Sequence, residues 1–422
     1  MPGHKGKGPL GVEAHDITEI DGADVLYSPT GIIKESEEHA AEIFGTARTV
    51  YSTEGSSLSI KAMLALTVLY AKESGKKPLI LAARNAHKAF INAAALVDFE
   101  IEWIFSDSLM SCIISEDMLK DAIRSCSEKP VALYVTSPDY LGNTSDIRML
   151  SKLCHENGIL LIVDNAHGAY LAALPKSEHP IALGADMACD SAHKTLPALT
   201  GAAYLHISES APRIFKERAD DMMALFASTS PSYLILESLD LANKSLSGDY
   251  REKLKKFIPV SNKLKRRLTQ HGHILVGDEV LKITVSTKEY GYTGWDFAEK
   301  IKNLGIVCEF YDEDFVTLML SPEYTESDAD ELAEKLLIPV RKEAIKKSHI
   351  GVPRLRRVMS IKDALFAPSE LVKTEDAEGR ILALASVSCP PAIPIAVSGE
   401  LLTKDAVRCL SYYGIKEVRV IK

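Results

Sequence analysis

Long apolar runs are missing from this 422-residue chain: none reaches the roughly 18 to 20 residues that a bilayer crossing requires. The opening MPGHKGKGPL also lacks the apolar centre of a secretory signal. Cysteine is sparse. The seven cysteines, at 112, 126, 154, 189, 308, 389 and 409, are scattered and odd in number, and none forms a C-x-x-C pair or another zinc-ligand spacing. No metal site is expected from them, and their usage fits a reducing compartment, so the protein is expected in the cytoplasm with no membrane partner. There is no excess of positive charge either. Lys and Arg total 49 against 58 Asp and Glu, a formal charge of −9, which argues against a nucleic-acid partner. The densest basic stretch, REKLKKF…NKLKRR within 251–267, has helical spacing and reads as a solvated helix face.

Apolar residues make up 46% and charged residues 25%, the balance of a globular protein, and the length exceeds what one core usually serves. Three parts are expected: an N-terminal segment over 1–50, a large domain over 51–245 and a smaller α+β domain over 246–422. The first part is turn-rich with one helix, KESEEHAAEIFG (34–45). SLSIKAMLALTVLYAKESG (57–75) is apolar on most faces and predicts a buried helix. Strand-like runs then alternate with helical stretches: PVALYVTSP (130–138) and ILLIVDNAHGAY (159–170) read as strands, EDMLKDAIRSCSE and IRMLSKLCHENG as helices. Such β-then-α units predict an α/β fold with a mainly parallel sheet covered by helices. After about 245 the pattern becomes a long helix (about 250–271), a strand ILVGDEVLKITVS, a helix GWDFAEKIKNLG, strands IVCEFYD and FVTLMLSP, and a helix SDADELAEKLLIPVRKEAIKK. Prolines in SCPPAIPIAVSGE (388–400) predict extended backbone.

Polar residues gather just after strand ends, at 85–88, 136–138, 164–167 and 191–194, where open α/β sheets bind ligands. Gly55, Ser56 and Ser57 open a helix and read either as an N-cap or as a phosphate cradle built from free N–H groups and hydroxyls. Asp164 follows four apolar residues and needs a cationic or hydrogen-bonding partner, such as a protonated ring nitrogen, unless it merely caps the next turn. His167 reads as a ligand contact or as a satisfied core histidine. His87 reads as structural or as a plane to stack on a ring, and Lys88 as solvated. In DSAHKTLPALTGAAYLH (190–206), Lys194 enters apolar surroundings that penalise an ammonium, a conflict removed if its nitrogen is covalently occupied. A phosphate cradle, an acid for a ring nitrogen and an amine for an aldehyde together point to pyridoxal 5'-phosphate, with Ser191 and His193 near its phosphate.

These stretches, with PGHKGKG (2–8), SPTGIIKESEEHAAEIFG (28–45), STEGSS (52–57), RNAHKA (84–89), TSPDYLG (136–142), VDNAHGAY (163–170), STSPSYLILESLD (228–240) and CPPAIPIAVSGE (389–400), run in order along nearly the whole chain. The chain resembles the bacterial pyridoxal-phosphate-dependent ornithine/lysine/arginine decarboxylases of aspartate-aminotransferase-like fold, with a seven-stranded-type sheet in the large domain. The resemblance implies that Lys194 carries the cofactor and Asp164 partners its ring nitrogen. It implies further that His87 stacks on the ring, Ala166 packs on the opposite face, and Ser56, Ser57, Ser191 and His193 hold the phosphate. Thr229 and Ser230 are implied to reach the phosphate across a homodimer interface. Three departures stand out: Glu54 replaces the asparagine many members carry, no receiver-like domain precedes PGHK, and the chain is shorter than is usual in the family. The expected activity is decarboxylation of arginine, lysine or ornithine, yielding carbon dioxide and an amine that feeds polyamine synthesis or pH homeostasis. Glu309 is a candidate partner for the basic side chain of the substrate, or else a solvated strand-edge acid. Another reaction on the same scaffold, such as transamination or retro-aldol cleavage, is the alternative. A transaminase would need an α-carboxylate clamp from Arg354, Arg356, Arg357 or Arg380. A cofactor-binding protein without catalysis is the third reading.

Overall fold

A computed structural model describes residues 1–346, 350–384, 388–389 and 393–422. Its centre is a seven-stranded sheet in the order β1-β7-β6-β5-β4-β2-β3. The strands are β1 (Arg48–Ser52), β2 (Leu79–Ala83), β3 (Glu100–Ile104), β4 (Ala132–Thr136), β5 (Leu160–Asp164), β6 (Met187–Asp190) and β7 (Ala203–Ile207). The five from β6 to β3 run parallel, while β7 is antiparallel to both its neighbours. Every residue of β2, β4, β5, β6 and β7 is buried, which accounts for their unbroken apolar character.

Helices cover the sheet: α1 (Ile32–Phe44), α2 (Ser56–Glu73), α3 (Lys88–Val97), α4 (Glu116–Ser125), α5 (Ile147–Glu156), the short α6 (Ala192–Thr195), α7 (Arg213–Phe226) and α8 (Tyr233–Ser247). As expected from its composition, α2 is buried on most faces, with Leu58, Ile60, Met63, Leu64 and Leu66 nearly inaccessible. The stretch read as one strand over 159–170 stops at Asp164. There the carboxylate accepts the Ala166 N–H at 3.2 Å, the chain turns through Asn165–Gly168, and a 3-10 helix follows over Ala169–Ala173.

The long helix α9 (Tyr250–Gln270) leads to a four-stranded antiparallel sheet, order β10-β11-β9-β8, made of β8 (Ile274–Val276), β9 (Lys282–Ser286), β10 (Phe310–Tyr311) and β11 (Phe315–Met319), with helices α10 (Gly294–Lys302) and α11 (Glu326–Leu337). Here three expectations are corrected. ILVGDEVLKITVS is two strands, because Gly277 (φ +81°) breaks it where an added Cβ would lie 2.4 Å from the Leu141 carbonyl oxygen. IVCEFYD is a strand only over Phe310–Tyr311, and Asp312 ends it by accepting the N–H groups of Asp314 and Phe315. The last helix ends at Leu337, two residues before Pro339, which has no N–H to continue it. The basic face of α9 is not simply solvated: Lys263 reaches Glu326 and Asp330, and Arg267 reaches Asp330 and Glu334, all on α11.

The C-terminal region adds α12 (Ile361–Phe366), β12 (Ser369–Lys373), the two-residue pair β13 (Ser388–Cys389) and β14 (Ile393–Pro394), α13 (Lys404–Tyr412) and β15 (Glu417–Ile421), which pairs antiparallel with β12. Pro390, Pro391 and Ala392 of the expected extended loop lie outside the described residues. One apolar cluster joins the two sheets, running from Tyr170–Leu174 through Leu239 and Leu254 to Ile283, Val285 and Leu318. Among the described residues no helix is long and apolar enough to cross a membrane.

Candidate active site

Strand register places the site. Thr136 on β4 pairs with Asp164 on β5, and Asp164 with Cys189 on β6, so three parallel strands end level with one another. Ser52, the last residue of β1, pairs with Ala203, the first of antiparallel β7. The start of α2 therefore meets the 200–202 turn at this same edge, and Gly55 N–H donates to the Gly201 carbonyl at 2.7 Å. Gly201 (φ +101°) is required there, because a Cβ would lie 2.7 Å from the Thr53 carbonyl oxygen. A cleft of about 350 Å³ opens above these ends, lined by Glu54, Gly55, Ser56, Ser57, Asn85, His87, Asp164, Ala166, His167, Ser191, His193 and Lys194 among others. All the cofactor candidates that the sequence singled out, except Thr229 and Ser230, thus line one cavity.

Lys194 Nζ lies 3.0 Å from His167 Nε2 and 5.6 Å from the centre of the Tyr140 ring. Burial, together with the charge of Lys282, pulls the Lys194 ammonium below its ordinary pKa, against the opposing pull of Asp164 and Glu309. Burial likewise holds His167 well below the ordinary imidazole value, with the nearby lysines adding to the effect. His87 caps α3, its Nδ1 accepting the Ala89 N–H at 3.1 Å, and burial brings it down to about 4. Both rings are therefore neutral near pH 7.

Asp164 is fully buried. Tyr134 OH donates to its Oδ2 at 3.0 Å and Ala166 N–H to its Oδ1 at 3.2 Å. Burial raises its pKa, partly offset by Lys194 and by these donors. Among the described residues it forms no ion pair within 4.0 Å, so a protonated ring nitrogen would supply the missing cation. At the other end of the cleft, Ser191 Oγ donates to Ser56 Oγ at 2.8 Å beside the free N–H groups of α2, a cradle that suits a phosphate. Three buried atoms in the cleft, Asn85 Oδ1, Thr136 Oγ1 and His167 Nδ1, have no hydrogen-bond partner among the described residues. Acid, amine and anion cradle, with unsatisfied polar atoms between them, fit a phosphorylated pyridine aldehyde.

Thr229 and Ser230 stand exposed on the loop between α7 and α8. Glu54, at the cleft rim, accepts the Ser228 N–H at 2.7 Å, so this departure from the family pattern is used to hold that loop. Glu309 is exposed next to Phe310, and its charge acts on both Lys194 and Tyr140. None of the four candidate clamp arginines lines the cleft: Arg354 lies over Phe105, Arg357 pairs with Glu100, Arg380 pairs with Glu370, and Arg356 is exposed elsewhere. Sequence reasoning missed Tyr134 and Tyr140. Tyr140 had a signal, two residues beyond the polar cluster that ends β4, whereas nothing local marks Tyr134 as the partner of an acid 30 residues away.

An open α/β sheet with this cleft at its strand ends defines a pyridoxal-phosphate enzyme of aspartate-aminotransferase-like fold. The solved structure of lysine decarboxylase A from Pseudomonas aeruginosa superposes with a TM-score of 0.81 at 18% identity, covering 100% of this chain and 78% of that one. The chain belongs to the Orn/Lys/Arg decarboxylase family, whose major-domain model matches residues 12–325. It is 30% identical over 417 residues to the arginine decarboxylase of Bacillus subtilis, covering 93% of this chain and 83% of that protein. It is 31% identical over 415 residues to the arginine decarboxylase of Halalkalibacterium halodurans, covering 92% and 82%. The protein is accordingly a pyridoxal-phosphate-dependent amino-acid carboxy-lyase.

Proposed function

We propose that the protein removes the α-carboxylate of a basic amino acid, arginine foremost, releasing carbon dioxide and the corresponding amine. The observation that carries this reading is a cleft holding Lys194, His167 and Asp164 but, among the described residues, no arginine. A transaminase needs a cation to retain the α-carboxylate, whereas a decarboxylase must let it go. Relatives named arginine decarboxylase, matched over more than nine-tenths of the chain, support arginine.

Held through Lys194, the cofactor supplies an electron sink for the pair released when a bond at the substrate α-carbon breaks. Asp164 would hold a proton at the ring nitrogen, its carboxylate oriented by the Tyr134 hydroxyl and the Ala166 N–H. Ser56, Ser57, Ser191 and His193 bind the phosphate, and His87 and Ala166 enclose the ring. Neutral His167, through Nε2, exchanges a proton with the Lys194 amine, and either of the two protonates the α-carbon after carbon dioxide leaves. Glu309, exposed and close enough for its charge to act on Lys194, receives the cationic end of the substrate. Thr229 and Ser230 complete the phosphate site of the partner in a homodimer, in a cytoplasmic enzyme divided near residues 50 and 245.

The test is an amino-acid panel. Carbon dioxide release from arginine, lysine or ornithine is expected, and formation of a keto acid instead refutes the reading. Glu309→Gln should raise KM for the preferred substrate about 10-fold, the loss of one charge-assisted contact.

A further inference from the structure

Outside the cofactor residues, Lys282 and Glu279 form a heavily buried ion pair: their side chains are 1% and 0% exposed and their Nζ and Oε2 lie 3.0 Å apart. Lys282 belongs to β9 of the smaller sheet, yet its Nζ donates to the Asp139 carbonyl at 2.9 Å, in the turn after β4 of the larger one. The same turn is gripped again one step on. The Gly142 carbonyl accepts the N–H groups of Asp278 at 2.9 Å and Glu279 at 3.0 Å. The backbones are so close that an added Cβ at Gly142 would lie 3.3 Å from Lys282 Cβ. Internally the turn is stiff, because Asp139 Oδ1 accepts the N–H groups of Leu141 and Asn143, both at 2.9 Å. Its one residue facing the cleft is Tyr140. That ring meets His167 edge-on at 4.8 Å between centroids, lies 5.6 Å from Lys194 Nζ, and is backed by Phe310 at 6.3 Å.

We propose that the Lys282–Glu279 pair is a positioning device for the reaction, fixing Tyr140 from the smaller sheet as the wall of the cleft that faces Lys194 and His167. Stability alone does not call for this pair, which lies within one segment of the smaller sheet: taking both charges out of water offsets most of their attraction, and apolar residues would pack there at least as well. Lysine offers what an apolar residue cannot: a donor that sets the Asp139 carbonyl, and with it the Tyr140 backbone, at one defined place. Glu279, with Oε2 3.0 Å from that nitrogen, supplies the counter-charge beside it. Lys282 is also near enough for its charge to depress both Lys194 and His167. A shift of about 1 Å in a group facing the reacting atoms is enough to cost a large factor in rate, so such a pin has kinetic consequences.

This inference rests on the decarboxylase reading, and its test separates the two. Two neutral pairs, Glu279→Met with Lys282→Met and Glu279→Gln with Lys282→Gln, are compared with Tyr140→Ala as cofactor-loaded enzymes. Thermal melting and the visible absorbance of the lysine-linked cofactor establish folding and loading. In each, kcat should fall about 10- to 100-fold with KM within about 3-fold. Adding Tyr140→Ala to either pair should cost no more than about 3-fold beyond Tyr140→Ala alone, because all three act through one ring. The circular-dichroism band of the bound cofactor should change alike in the pair variants and in Tyr140→Ala, a readout independent of turnover. Full kcat in a loaded neutral pair, losses that multiply with Tyr140→Ala, or failure of both neutral pairs to fold overturns the positioning role. Wild-type enzyme that releases no carbon dioxide from any basic amino acid overturns the functional reading instead, and the dichroism comparison still decides the pin.

Discussion

Lys194 is pulled in two directions: burial and Lys282 favour its neutral amine, while Asp164 and Glu309 favour the ammonium. A depressed ammonium suits a lysine that must form and release a covalent bond, since only the free amine is nucleophilic. Lys194→Ala should therefore lose the visible cofactor absorbance together with activity. Asp164→Asn keeps the shape but not the charge, and kcat should fall about 100- to 1000-fold, the scale of losing one preorganised electrostatic partner. His87 and His167 give a pH prediction for the cofactor-free protein. Their folded-state pKa values lie below the ordinary 6.5, about 4 for His87. Between those values the unfolded chain binds protons that the folded chain refuses, so stability should fall as pH drops from about 6.5 towards 4. Melting temperature against pH measures this, and His87→Asn should flatten the slope.

Strand ends and the turns after them carry the chemistry, and a buried network ties two of those turns together. Asp190, at the end of β6, accepts Asn165 Nδ2 at 2.7 Å through Oδ1, while Oδ2 faces His179 Nε2 at 3.1 Å and His206 Nε2 at 3.3 Å. The Ile181 N–H occupies His179 Nδ1, so Nε2 of that ring carries its hydrogen towards Asp190. Burial opposes the Asp190 charge, yet the two imidazoles hold its carboxyl well below the usual carboxylate range. Asp190→Leu would leave those donors unpaired between the Asp164 and Lys194 turns. The expected cost is about 3 to 5 kcal/mol, read from urea unfolding. Elements of this kind were legible where an apolar run was unbroken, as in α2 and β4. They were misjudged where a side chain ended a strand by bonding its own backbone, as Asp164 and Asp312 do.

The two largest sheets share one apolar cluster, and the cleft closes with Lys194, Asp164 and Tyr140 from the larger, the Tyr140 ring being backed by Phe310 of the smaller. Thr229 and Ser230 stay outside that cleft, exposed on their loop. If they serve a partner's phosphate, two inactive variants should rescue each other. Mixing Lys194→Ala subunits with Thr229→Ala/Ser230→Ala subunits, after dissociation and reassociation, should restore about a quarter of wild-type activity, because half the dimers are mixed and each holds one intact site. No recovery in verified mixed dimers would place the loop's role within its own subunit.

Sequence alone picked out the amine, acid and helix-start hydroxyls that line one cleft, because they follow strand ends and open α/β sheets bring such ends to one edge. The mainly parallel sheet was readable from the β-then-α alternation, and the family from the stretches that resemble it, such as DSAHKTLPALTGAAYLH. Tertiary structure decided the rest: that Tyr134 braces Asp164, that the candidate arginines turn away from the cleft, that Glu54 holds the 228 loop, and that a lysine on the second sheet reaches the Tyr140 turn. Those contacts join positions far apart in the chain and have no local period. Only the packing of one sheet against the other brings them within hydrogen-bond range.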